Sequence, residues 1–85
     1  MRVIWKFPLQ LTSYQEIEMP LGAEILTVQA QKGVPTVWVM VDSEATPVKR
    51  RLRIVGTGQQ VGYTIGLYIG TWQDNGFVWH LFEAD

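Results

Sequence analysis

Cysteine is absent from this chain, so no disulfide framework, thiolate nucleophile or cysteine-bound metal site is open to it. Histidine occurs once, at His80, which leaves the hydroxyls of Ser13 and Ser43 without a nearby base to activate them. That lone imidazole and scattered carboxylates give no close-spaced ligand set, so no metal and no cofactor is expected. No apolar run approaches the ~20 residues that a membrane-spanning helix needs, and no membrane association is expected. Lys6 and Pro8 interrupt what would have to be the apolar stretch of an export signal, which makes the cytoplasm the expected setting. An excess of charge is also lacking. The net charge of -1 excludes a protein that wraps nucleic acid over its whole surface. Length is the last shortage, since 85 residues can bury one core and not two, giving a single domain over 1–85.

What is present is a repeating period of two. Val3, Trp5 and Phe7 alternate with Ile4 and Lys6 from Arg2 to Leu9, and Pro8 marks the end of a strand or an edge position. Tyr14–Met19 reads as a second strand. A third runs over Glu24–Gln31, with Leu26, Val28 and Ala30 toward the core, and Lys32-Gly33-Val34-Pro35 closes a hairpin. Thr36–Asp42 sets Val37, Val39 and Val41 against Trp38 and Met40, so both of its faces are expected to be buried. Val48–Val55 and Phe77–Phe82 continue the pattern, and Leu67–Gln73 reads as a strand or a short irregular segment, joined to the last strand by the turn signal Asp74-Asn75-Gly76. The fold class is therefore all-β, a compact small barrel or two-layer antiparallel sandwich of about six to seven short strands. Residues 59–68 are the one stretch where a short helix competes with strand or loop.

The basic residues are unevenly placed: Lys49, Arg50, Arg51 and Arg53, four of the seven, fall within five positions. On a strand Lys49, Arg51 and Arg53 share one face at roughly 7 Å spacing. A guanidinium offers a planar fork of donors that matches two phosphate oxygens, so such a row suits a phosphorylated ligand. The same row also suits a solvated edge strand guarded by charge against aggregation. Gly56-Thr57-Gly58 follows directly, and its backbone N–H groups with the Thr57 hydroxyl extend the anion-site pattern. Four tryptophans in so short a chain cannot all be fully buried. Trp38 and Trp72 are the ones expected to reach a pocket or interface, while Trp5 and Trp79 are assigned to packing. The predicted ligand-binding set is thus Arg51, Arg53, Thr57 and Trp38. Glu16 and Glu18 share one strand side, either as a pair able to share a proton or as two carboxylates on a solvated face, and His80 is expected to hydrogen-bond at a sheet edge or turn.

Several segments together resemble a family of small proteins of tailed phages and prophages. They are Ile4-Trp5-Lys6-Phe7, Ile17-Glu18-Met19-Pro20, Gly22-Ala23-Glu24-Ile25-Leu26, Val28-Gln29, Gly33-Val34-Pro35 and Trp38, followed by Val41-Asp42, Arg53-Ile54, Gly56-Thr57-Gly58, Tyr68-Ile69-Gly70-Thr71 and Val78-Trp79-His80-Leu81-Phe82-Glu83. The resemblance implies a phage-encoded protein in the cytoplasm of an infected host and carries over no site residues. Joined to the residue pattern, it leads to an expected non-enzymatic role in phage counter-defence. A homo-oligomer would sequester a small phosphorylated signal of the cyclic nucleotide or ADP-ribose type, a task that needs cations and an aromatic surface but no catalytic group. Direct inhibition of a host defence protein and a minor virion or assembly role are the alternatives.

Overall fold

The computed structural model of the chain describes residues 1–84. Seven strands run in it: β1 (Arg2–Pro8), β2 (Tyr14–Pro20), β3 (Glu24–Gln31), β4 (Val34–Asp42), β5 (Pro47–Gly56), β6 (Leu67–Asp74) and β7 (Phe77–Ala84). They form two antiparallel sheets, a three-stranded one ordered β1-β4-β3 and a four-stranded one ordered β2-β5-β7-β6. No helix occurs among the described residues, so 59–68 is loop up to the start of β6. Neither sheet closes on itself, which settles the architecture as a two-layer arrangement rather than a barrel.

Both tight hairpins use two-residue loops with positive φ at each position, Lys32 (51°) with Gly33 (80°) and Asn75 (50°) with Gly76 (83°). This is the turn whose twist matches the strands it joins. The other connections pass between sheets or over β7, so sequence neighbours often lie in different layers.

The core is the meeting of the two inner faces. Val28, Val37, Val39 and Val41 come from the three-stranded sheet, and Met19, Leu52, Ile54, Trp72 and Leu81 from the other. The layers approach most closely where β3 crosses β6, since a side chain at Gly70 would stand 2.9 Å from Val28 Cγ1. A register shift between Ile25 and Thr27 corrects the expected facing of β3: Ile25 packs inward and Leu26 is left 38% exposed. β4 is buried on its valine face, whereas Trp38 and Met40 are only half-buried on the other.

Candidate functional site

The pleat of β5 sends Leu52 and Ile54 into the core and Lys49, Arg51 and Arg53 to the outer face of the four-stranded sheet. β5 lies between β2 and β7, so its basic row is not the guard of an exposed edge. Across β2, Lys49 faces Glu18, Arg51 faces Glu16 and Arg53 faces Tyr14. Arg51 Nε stands 3.7 Å from the Glu16 carboxylate, a loose contact between side chains about half exposed. Arg53 faces Phe82 on its other side, and Phe82 in turn faces Tyr68 of β6. Tyr14, Arg53, Phe82 and Tyr68 therefore form one row across all four strands, with Tyr68 meeting Phe82 edge-on at 5.5 Å. Arg53 has no ion pair among the described residues, although it stands on a face that already carries cations.

Beside this row, His80 projects from β7, an interior strand rather than the edge or turn expected for it. Its Nε2 is 2.8 Å from Thr57 Oγ1 and its Nδ1 is 2.9 Å from Thr71 Oγ1, which is 2.6 Å from the Tyr68 hydroxyl. The irregularity between Tyr68 and Gly70 makes this chain possible, because it brings Tyr68 and Thr71 to the same face. A hydroxyl beside an imidazole is half of a nucleophile–base pair, but the other ring nitrogen meets a neutral hydroxyl instead of a carboxylate that would stabilise an imidazolium. The arrangement fixes the ring between two threonine hydroxyls.

The expected four-residue site is only partly assembled. Arg51, Arg53 and Thr57 belong to the four-stranded sheet, and Thr57 joins it through His80 and through its amide, which donates to the Val78 carbonyl at 3.0 Å. Trp38 does not join them. It lies on the outer face of the other sheet, opposite Lys6 and Thr27, with the core between it and the arginines. Trp72 is a core residue at 3% exposure, whereas Trp79, expected only to pack, lines two grooves. Trp5 is 40% exposed. The aromatics in the row with Arg53 are Tyr14, Phe82 and Tyr68, none of them among the expected site residues; alternation points Tyr14 and Phe82 outward, whereas Tyr68 shares parity with the core residue Trp72 and reaches this face only through the irregularity before Gly70.

Arg50, the fourth member of the basic run, points inward. Its guanidinium makes a two-pronged ion pair with Glu83 and donates from Nη1 to the Ala23 carbonyl at 2.9 Å. Hydrogen bonding to Glu83 raises the Arg50 pKa above its ordinary value, against the opposing effect of burial. This pair is structural, tying β5 and β7 to the turn before β3.

The surface elsewhere includes three grooves. Lys6, Pro8, Gln31, Lys32, Val34 and Thr36 line one of about 360 Å³ on the three-stranded sheet. The other two, of about 220 and 430 Å³, share Gln59 and Trp79 at the end of the four-stranded sheet, where Phe77 stacks on Trp79 at 5.8 Å. Their lining carries no charged side chain. Among the described residues no cluster of ligating side chains suits a metal ion.

A family described as Domain of unknown function (DUF7352) matches residues 1–85, and the chain belongs to that family. No curated protein and no solved structure matches it.

Proposed function

We propose that this member of the DUF7352 family is a non-catalytic binding protein that holds a phosphorylated, nucleotide-type ligand on the outer face of its four-stranded sheet. The observation that carries the reading is Arg53, a half-buried cation without an ion pair among the described residues, set between Tyr14 and Phe82. A guanidinium in that position suits phosphate oxygens, and the rings beside it suit a base. Arg51 is a second phosphate contact, and the Thr57, Thr71 and Tyr68 hydroxyls about His80 supply polar contacts at the rim. Trp38 has no part in this site. The setting proposed with it is a phage-encoded protein in the host cytoplasm, assembled from copies of itself, for which binding alone removes the ligand from a host defence system. A second reading, contact with a host defence protein, draws on the uncharged Phe77–Trp79 groove, the kind of surface that protein partners cover.

The test is a thermal-shift panel of mononucleotides, cyclic nucleotides, ADP-ribose and short oligonucleotides against wild type and the double variant Arg51→Gln/Arg53→Gln. A ligand at a hundred times its dissociation constant should stabilise the folded protein by about 2.7 kcal/mol. Two lost charge-assisted bonds at about 1.5–3 kcal/mol each should weaken binding by two or more powers of ten, while stability without ligand barely moves. A panel without a single stabilising compound would remove the reading.

A further inference from the structure

The outer face that carries Arg53 is open. Tyr14 is 49% exposed and Tyr68 is 60% exposed at its two sides. Small ligands are held in concavities that cover most of their surface, and a row whose end rings are about half exposed does not cover a free nucleotide in that way. An extended strand gains its contacts by length instead of enclosure. Each base needs only a ring to stack on, and each phosphate only a cation within reach.

We infer that the occupant of this face is single-stranded nucleic acid rather than a free nucleotide, an inference that rests on the nucleotide-type reading above. Neighbouring strands lie ~4.8 Å apart, so the row from Tyr14 through Arg53 and Phe82 to Tyr68 spans roughly 14 Å, longer than a single base. Tyr14 and Tyr68 take bases at the two ends of the row, and Phe82 supports one between them. Arg53 binds a phosphate between stacked bases, while Arg51 and Lys49, displaced from the row along β5 at ~7 Å intervals, add positive charge beside the strand. Glu16 and Glu18 stand beside Arg51 and Lys49, which limits the attraction and makes the complex modest in strength and sensitive to salt. The uncharged Phe77–Trp79 groove takes no phosphate. The rings read no base pattern, so binding is tolerant of sequence.

Fluorescence anisotropy of a labelled 12-nucleotide oligo(dT) or oligo(U), with thymidine or uridine monophosphate and a cyclic dinucleotide as competitors, tests this. The oligonucleotide should bind, and a thousandfold excess of monophosphate should not displace it. Affinity should fall about tenfold between 50 and 200 mM salt if two or three phosphates are contacted. Tyr68→Ala and Tyr14→Ala should each weaken binding roughly five- to hundredfold. Tyr68→Phe keeps the ring, should retain binding, and so separates stacking from the hydroxyl chain through Thr71. Circular dichroism of each variant confirms that the sheets persist. If the monophosphate or the cyclic dinucleotide binds as tightly as the oligonucleotide, the strand inference is overturned and the nucleotide-type reading stands. If no oligonucleotide and no nucleotide binds, both fall. Binding left unchanged in both tyrosine-to-alanine variants would place the strand elsewhere and overturn the inference as well.

Discussion

Arg50 and Arg51 are adjacent in the chain and face opposite sides of one sheet, so identical chemistry meets two different environments. Arg51 is on the outer face, about half exposed, with Glu16 3.7 Å from its Nε, a pair of the exposed kind that contributes little to stability. Arg50 and Glu83 are each about four-fifths buried, and the guanidinium also satisfies the Ala23 carbonyl. Removing one partner of such a pair leaves the other charge desolvated and unmatched. Glu83→Gln should therefore cost about 1.5–3 kcal/mol in a urea unfolding measurement, the range for hydrogen bonds to a charged group. Adding Arg50→Met should return part of that loss by removing the stranded cation. Equal stability of Glu83→Gln and wild type would show that water already reaches the pair. The split between the two arginines was legible in the alternation of Val48–Val55, which put Lys49, Arg51 and Arg53 on one face. The destination of Arg50 was not legible, because its partner is 33 residues away in a strand whose pairing no local pattern announces.

Elements themselves were easier to read than their neighbours. Period-two patterning located all the strands, and the Asn75-Gly76 turn followed from its composition, because positive φ at both positions is what such a loop requires. Which sheet a strand joins is set by long-range pairing, so local pattern alone groups Trp38 with arginines that lie on the opposite side of the molecule. For the same reason the basic row reads equally as the guard of an edge strand, although β5 is an interior one. Two glycines record where elements press together. Gly70 lets β6 lie against Val28 of β3, and an added methyl would be 2.9 Å from Val28 Cγ1. Gly70→Ala should cost about 1–3 kcal/mol by thermal unfolding, as overpacking does, and Val28→Ala in the same chain should relieve part of it. Gly66 is the harsher case. Its φ of 110° is one that side chains rarely adopt, and a methyl there would collide with the Glu83 backbone carbonyl. Gly66→Ala should thus destabilise more than Gly70→Ala, with no side-chain truncation able to relieve it. A Gly66→Ala protein as stable as wild type would mean that the entry into β6 is free to rearrange.

At the scale of the whole molecule the two layers are unequal, three strands against four, and apolar surface is left over. Trp5 points from β1 toward the inner side yet is 40% exposed, so the four-stranded sheet does not fully cover that edge. On the outer face of the three-stranded sheet Ile4 is 57% exposed and Val34 43% exposed, with Trp38 and Met40 half-buried between them. A domain this small gains from burying such surface against a copy of itself. The distribution of charge there suits a two-fold contact, because Arg2 and Lys6 lie along β1 and Glu24 along β3, on either side of β4. Rotation about an axis through β4 sets the basic edge of one copy over the acidic residue of the other, with Trp38 and Met40 at the centre. The expected assembly is therefore a dimer through the three-stranded sheet, which leaves the Arg53 face of each copy open to ligand. Light scattering at micromolar concentration should return twice the mass of the 85-residue chain. Ile4→Glu places a carboxylate in the contact while lying on a solvated position of the isolated chain, so it should yield a folded monomer. That monomer should still bind oligonucleotide through its other face, with affinity per chain unchanged. A wild-type monomer, or an Ile4→Glu dimer, would assign the exposed Ile4–Met40 surface to something other than self-association.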